Sequence, residues 1–351
     1  MTKALWLAGW LLAGTSFAAI ASADTLPLHS GGRTAAPAHT HQWPGVYFET
    51  ATTSKSVTLS FDDSTNIYKL YLNGEVVKVI EKPGQTTVRF DSKSPKAVDV
   101  YRLEKITESQ DQTGRFLGFS ADKPAALTAR ARQVEFIGDS FTVGYGNTSP
   151  KRDCTNDEVW ATTDTSQAFG PLTAKHYEAD YQVNAFSGRG IVRNYNGFIG
   201  DPLPKLYPYS LFDGKTAYDA TGWQPQIIVI GLGTNDFSTA LNPGEKWTTR
   251  EALQADYRDT YVAFVKSLRA KNPQAQFILM ASDGANGEIR AQVSQVAKTL
   301  KDGGETRLDT LFFDGLDFGG CHYHPSLADD RKIAGLIQGW IDAHPGVWQG
   351  K

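Results

Sequence analysis

Only two cysteines occur in the 351 residues, Cys154 and Cys321, and neither belongs to a CxxC pair. That spacing argues against a zinc centre assembled from cysteine pairs. There is no strong excess of either charge. Lys and Arg number 35 against 38 Asp and Glu, a formal net charge of −3. That balance removes any electrostatic reason to expect nucleic acid or an anionic membrane surface as a partner. Beyond the N-terminal segment, no apolar run is long enough to cross a bilayer. Internal repeats and low-complexity tracts are absent too.

What is present begins with a processing signal. Lys3 precedes an apolar stretch from Leu5 to Ala21, and Ala21-Ser22-Ala23 fits a small-residue cleavage site. Residues 1–23 read as a signal peptide, so the mature chain starts at Asp24 and is exported, either to the periplasm or out of the cell. No cysteine near the cleavage site offers a lipid anchor, and no membrane attachment is expected after removal. In an exported protein a cysteine pair invites a disulfide. A Cys154–Cys321 bridge would tie two loops together, although sequence alone leaves the pairing open.

The mature chain changes character once. Residues 24–43 are rich in Gly, Pro, Ala and His and read as extended; His39-Thr40-His41 reads as surface. From Trp43 to about Ser120, short runs such as KSVTLSF, NIYKLYLNG and AVDVYRLEKI alternate apolar with polar residues. Turn signals separate them, Asn73-Gly74 among these. About seven such strands predict an all-β sandwich or jelly roll, assigned to residues 24–125. A short linker around 121–133 follows. From Val134 the pattern becomes strand–helix alternation, with buried-strand runs at 134–138, 181–186, 226–233, 276–281 and 310–313. Helices are predicted over Thr165–Ala179, from a Thr248-x-x-Glu251 capping box to about Lys271, over Gly287–Lys301 and over Ser326–His344. Such alternation implies a doubly wound five-stranded parallel sheet, assigned to residues 126–351.

The candidate chemistry sits at the ends of those strands. VEFIGDSFTVGYGN presents Ser140 after Gly138-Asp139, at the rim where open α/β sheets gather their ligands. A serine there is a nucleophile only with a base and oxyanion donors in reach; otherwise it is a helix N-cap. The next strand ends in SGRG, where Gly188 lets a backbone N–H approach a ligand. The third ends in GTND, where the Asn235 amide can donate. Asp236 is better suited to holding a loop, because a carboxylate would repel a developing oxyanion. After the last strand comes GCHYHPS. His324, just before Pro325, can act as a base near neutral pH, and His322 is a competitor. Each motif alone is compatible with an ordinary turn. The four together, in order and each at a strand end, point to a serine hydrolase that needs neither metal nor organic cofactor.

These four blocks resemble the SGNH (GDSL-type) hydrolase superfamily, whose namesake residues fall on Ser140, Gly188, Asn235 and His324. The fuller strings GYGN, SGRGIVRNY, GTND and GCxxHPS resemble carbohydrate esterase family two, whose members carry a β-sandwich ahead of the catalytic domain. The resemblance implies a secreted esterase removing O-acetyl groups from plant polysaccharides such as xylan or glucomannan. It implies Ser140 and His324 as catalytic residues, and Ser140, Gly188 and Asn235 as oxyanion donors. In one respect the chain departs from the pattern. Members with a full triad carry aspartate two residues before the histidine, in a Cys-Asp-Trp-His-Pro string; here that position is His322. A backbone carbonyl or a distant carboxylate, with Asp314 and Asp317 as candidates, would have to orient His324. Tyr145, Tyr195 and Trp160 are candidates for stacking on a sugar. The alternatives are a GDSL-type lipase or thioesterase, and a carbohydrate-binding protein without activity.

Overall fold

The computed structural model describes residues 25–93 and 95–349. The signal-peptide reading of residues 1–23 lies outside the described residues.

The first half is a sandwich of two antiparallel sheets. Its strands are β1 (His29–Gly31), β2 (Thr34–Ala35), β3 (Thr40–His41), β4 (Tyr47–Thr52), β5 (Ser56–Asp63), β6 (Ile67–Leu72), β7 (Glu75–Glu81), β8 (Gly84–Asp91), β9 (Asp99–Lys105), β10 (Gly114–Ser120) and β11 (Pro124–Ala125). One sheet runs β1-β4-β9-β6-β7, with β11 added on β4; the other runs β2-β3-β10-β5-β8. Period-two patterning explains the layers. In β5, Val57, Leu59 and Phe61 point inward while their neighbours face out. Asn73 and Gly74 turn the β6–β7 hairpin with φ of +53° and +94°.

Two expectations for the N-terminal stretch are corrected. It is not merely extended, since β1 to β3 pair into both sheets. His41 is not on the surface either. It is fully buried, with Nε2 at 2.7 Å from the Tyr68 hydroxyl, and that burial holds its pKa down at about 4.

The second half is built on β12 (Gln133–Gly138), β13 (Asp180–Ala185), β14 (Ile227–Gly231), β15 (Gln276–Ser282) and β16 (Leu308–Phe313), all parallel in the order β13-β12-β14-β15-β16. These strands bury both faces, hence their continuous apolar runs. The helices are α1 (Ser140–Val143), α2 (Asn156–Thr162), α3 (Phe169–His176), α4 (Leu203–Leu206), α5 (Thr234–Phe237), α6 (Arg250–Lys271), α7 (Glu288–Asp302) and α8 (Leu327–Ala343). One face of the sheet is covered by α6 and α7, through Leu253, Tyr257 and Val293; the other by α3 and α8, through Phe169, Ile333 and Ile337. The strand order reverses between β13 and β14, so the carboxyl end of β12 is the place where an open α/β sheet accepts a ligand.

Two helix starts differ from the sequence expectation. Thr249, not Thr248, caps α6, accepting from Ala252 N–H at 3.2 Å. The helix expected from Thr165 is split at Ala168 into a 3-10 turn and α3. Pro171 accounts for the break: it has no N–H to give and fits only the first turn of a helix.

The halves are joined by buried contacts. Trp43 sits in the α/β core, donating from Nε1 to the Tyr209 carbonyl at 3.1 Å and meeting the Phe212 ring at 4.5 Å. Arg33 is buried over the Tyr207 and Tyr218 rings. His29, Glu49 and Asp180 lie close enough to suggest a cation site. Arg130, however, donates to both carboxylates and Tyr47 donates to Asp180, so the cluster is an ion-pair junction between the halves.

Candidate active site

Gly138 is the last residue of β12, and it is glycine because a Cβ there would collide with Thr142 Oγ1. The next residue, Asp139, is the cap of α1, its Oδ1 accepting the Phe141 N–H at 3.1 Å. Ser140 is consequently the first residue inside the helix, and its hydroxyl is not consumed as a cap. Oγ lies 2.8 Å from His324 Nε2 instead.

His324 reaches this position from the turn before α8. Its Nδ1 lies 2.9 Å from the Cys321 carbonyl and 3.2 Å from the His322 carbonyl. A carbonyl only accepts, so Nδ1 carries the proton and Nε2 offers a lone pair to the serine hydroxyl. The tautomer is that of a base directed at Ser140. Neither candidate carboxylate takes part. Asp314 faces Arg290 at 3.7 Å, and Asp317 accepts the Gly319 N–H at 2.6 Å. Burial lowers the His324 pKa to about 4, against the raising effect of the two carbonyls.

His322 occupies the aspartate position of a full triad without its role. Its Nε2 donates to the Cys154 carbonyl at 2.8 Å, which leaves Nδ1 to accept from the Tyr145 hydroxyl at 3.0 Å. The Tyr145 ring packs on His324, with centroids 4.3 Å apart. Phe141 closes the other side, edge-on at 5.6 Å. Cys154 and Cys321 form a disulfide spanning 167 residues, so the Ser140 and His324 loops are covalently joined.

Gly188 and Asn235 lie at adjacent strand ends, where Gly138 pairs with Ala185 and with Gly231. Gly188 adopts φ +81°, a conformation that disfavours a side chain, and a Cβ would press on the Phe198 ring. Asn235 Nδ2 donates to the Arg189 carbonyl at 2.8 Å and, more weakly, to Asp139 Oδ2 at 3.3 Å. One amide therefore bonds to the residue before Ser140 and the residue after Gly188. Among the described residues no acceptor meets the N–H of Ser140 or of Gly188. Asp236 holds the neighbouring loop, accepting from the N–H groups of Ile191, Val192 and Arg193 at 2.9–3.0 Å. Burial pushes Asp236 up to about 6 and Asp139 up to about 7.

Of the aromatic candidates, Tyr145 is part of the histidine's packing and Tyr195 is 53% exposed beside Gly188, whose carbonyl accepts its N–H. Trp160 faces the sandwich, donating to the Thr65 carbonyl under Lys82. Sequence reasoning missed the roles of His322 and Tyr145 around the histidine. Neither has a local signature, since the pairing spans 177 residues.

Residues 30–130 match the Carbohydrate esterase 2 N-terminal family, and residues 136–345 match the GDSL-like Lipase/Acylhydrolase family. A curated relative, the acetylxylan esterase / glucomannan deacetylase of Cellvibrio japonicus, is 53% identical, covering 97% of this chain and 98% of its own length. A solved carbohydrate esterase, described as having an active site with divergent catalytic and non-catalytic binding functions, is 53% identical with a TM-score of 0.87, over 93% of this chain and 100% of that one. A family two carbohydrate esterase from Clostridium thermocellum, solved with cellohexaose, shares the fold at a TM-score of 0.80 and 24% identity, over 92% and 100% of the two chains.

Proposed function

Because the chain belongs to the family two carbohydrate esterases, we propose that it removes O-acetyl groups from plant polysaccharides such as xylan and glucomannan through a covalent acetyl-enzyme on Ser140. The observation that carries this reading is the 2.8 Å contact between Ser140 Oγ and His324 Nε2, with the tautomer set by backbone carbonyls. His324 Nε2 takes the hydroxyl proton as Oγ attacks the acetyl carbon. The N–H groups of Ser140 and Gly188 receive the oxyanion, and the Asn235 amide joins them by exchanging its long 3.3 Å contact with Asp139 for the oxyanion while keeping the Arg189 carbonyl. As the intermediate collapses, the bond to the sugar oxygen breaks and His324 returns the proton to that oxygen. Water then attacks the acetyl group, giving its proton to His324. Acetate leaves as Oγ recovers the proton. Ser140 and His324 work as a dyad, with carbonyl dipoles where a triad has a carboxylate.

Residues 24–125 form the accessory unit in this reading and residues 126–351 the catalytic one. Export fits the Cys154–Cys321 bridge, since disulfides persist in oxidising compartments. Among the described residues no helix is long and apolar enough to cross a membrane. The relative from Cellvibrio japonicus supports the choice of xylan and glucomannan. Tyr195 supplies an exposed aromatic face beside the site, suited to a sugar ring. Phe198 and Ile199 are also exposed there, a rim that a GDSL-type lipase or thioesterase would use for an acyl chain.

The deciding experiment is acetate release from acetylated xylan and acetylated glucomannan, run beside 4-nitrophenyl acetate and a long-chain 4-nitrophenyl ester. Release from polymer that is lost in both Ser140→Ala and His324→Ala is the expected result. Cleavage of the long ester alone would replace this reading with the lipase. Binding of polymer without any hydrolysis would replace it with the carbohydrate-binding protein.

A further inference from the structure

The loop carrying Gly188 is pinned on both sides of the one N–H that it leaves free. The Arg189 N–H bonds to the Phe186 carbonyl at 3.2 Å, the Gly188 carbonyl accepts the Tyr195 N–H at 2.9 Å, and the Arg189 carbonyl accepts from Asn235 at 2.8 Å. All three pins come from the α/β half. The fourth does not: the Ser187 N–H donates at 2.7 Å to Oε1 of Glu108, on the loop that follows β9 in the sandwich.

Glu108 stands on a braced support. The neighbouring Ser109 hydroxyl accepts from the buried Lys105 ammonium at 2.7 Å, and the same ammonium donates to the Gln42 and Trp43 carbonyls at 2.7 and 3.2 Å. Gln42 in turn donates to the Gln110 carbonyl at 2.8 Å. Trp43 packs on Phe212, which stacks on Phe186 at 4.3 Å. Phe186 directly precedes Ser187. Both ends of the Glu108–Ser187 hydrogen bond are therefore held in one packed frame, and the carboxylate can fix a direction rather than follow the loop.

We propose that Glu108 is a positioning residue supplied by the sandwich, which aims the Gly188 N–H at the acetyl oxyanion by holding the preceding peptide. This rests on the reading of Gly188 as an oxyanion donor. The peptide between Ser187 and Gly188 is left with little freedom once Ser187 N–H is bound on one side and the Gly188 carbonyl on the other. Release of Ser187 lets the planes on either side of it turn, and a donor turned away from the oxyanion contributes little in the transition state. The sandwich thus belongs to the catalytic apparatus.

The test compares full-length Glu108→Gln, Glu108→Met and Glu108→Asp with the wild type. Initial rates with 4-nitrophenyl acetate give kcat and KM, and covalent labelling by a phosphonate ester counts competent sites. Glutamine keeps an oxygen for the Ser187 N–H, so its kcat per site stays within about threefold of wild type. Methionine fills the same space without an acceptor, and kcat per site falls roughly ten- to a hundredfold with KM nearly constant. Aspartate withdraws the acceptor by one methylene while keeping the charge, and it follows methionine. This arm decides the matter if the methionine variant does not fold. A wild-type kcat in the methionine or aspartate variant overturns the proposal. So does a glutamine variant as slow as methionine, or a loss confined to KM. Retained turnover in Ser140→Ala, run alongside, would instead overturn the underlying serine mechanism.

Discussion

The pH dependence of turnover provides a direct check on a histidine oriented by carbonyls. His324 must be neutral to take the Ser140 proton. In place of a carboxylate, its Nδ1 meets the Cys321 and His322 carbonyls, which stabilise an imidazolium less well than a full negative charge would. Burial disfavours the cation further, and the pKa falls from 6.5 to about 4. That difference amounts to about 3 kcal/mol against protonation. On acidification, the free enzyme should keep its base form through pH 6 and 5 and lose half of kcat/KM near pH 4. Stability should move in the same direction. In the unfolded chain the histidine binds a proton near pH 6.5, so this group's contribution is intact above 6.5 and is lost as the pH falls towards 4. The assay is kcat/KM for 4-nitrophenyl acetate from pH 3.5 to 8 at constant ionic strength, with tryptophan fluorescence at each pH to show that the fold is intact. Asp139 and Asp236, held up at about 7 and 6, titrate inside that window. The profile is therefore repeated in Asp139→Asn and Asp236→Asn. An acid limb between pH 6 and 7 that persists in both variants and in the Asp139→Asn/Asp236→Asn double variant would refute the depressed histidine, and with it the claim that carbonyls alone orient the ring.

Three further outcomes follow from the same geometry. Asn235→Ala removes a proposed oxyanion donor and should reduce kcat roughly 10²–10³-fold; a rate near wild type removes Asn235 from the hole. Replacing Cys154 and Cys321 by serine opens a covalent loop of 167 residues and should cost about 2–5 kcal/mol of stability, read from urea unfolding. Activity should fall before the protein unfolds, because the Cys321 carbonyl orients His324. Asp236→Ala strands three N–H groups at 191–193 and should cost at least about 3 kcal/mol, read as a lowered Tm. Asp236→Asn, which keeps an oxygen acceptor, should lose less.

The parts legible in the sequence are those encoded locally. Seven sandwich strands announce themselves by alternation, and five parallel strands by continuous apolar runs. Ser140, Gly188 and Asn235 stand out because each follows a strand within a few residues, where glycine and polar residues interrupt an apolar run, and His324 because it stands just before Pro325 and the terminal helix. The elements that were misread share another property: their cue competes with a neighbour or with a distant partner. Thr248 and Thr249 both look like caps, and it is the second whose hydroxyl accepts the Ala252 N–H. His39-x-His41 looks like a polar tail until Tyr68, 27 residues on, provides a partner for the buried ring. The Thr155-x-x-Glu158 capping box that opens α2 is, by contrast, a purely local cue. Glu108 has no cue at all, for its partner Ser187 lies 79 residues away in the other half of the chain.

The orientation of His324 shows most clearly why such readings stop where they do. The sequence leaves two ways to replace the aspartate at position 322, a backbone carbonyl or a carboxylate elsewhere, with Asp314 and Asp317 as the candidate carboxylates. The structure answers with the backbone. His322 and Tyr323 adopt φ of +52° and +60°, and that left-handed turn directs the carbonyls of Cys321 and His322 at Nδ1. Such a turn is costly for bulky residues and must be held from outside. The His322 side chain does part of this by bonding both Cys154 and Tyr145, and the disulfide fixes Cys321 beneath it. Residue 322 therefore still serves the proposed catalytic histidine, but by shaping the chain that carries the acceptors rather than by being one. His322→Asp would remove the two side-chain bonds that hold the turn, so a carboxylate placed at 322 comes at the expense of the carbonyls that orient His324.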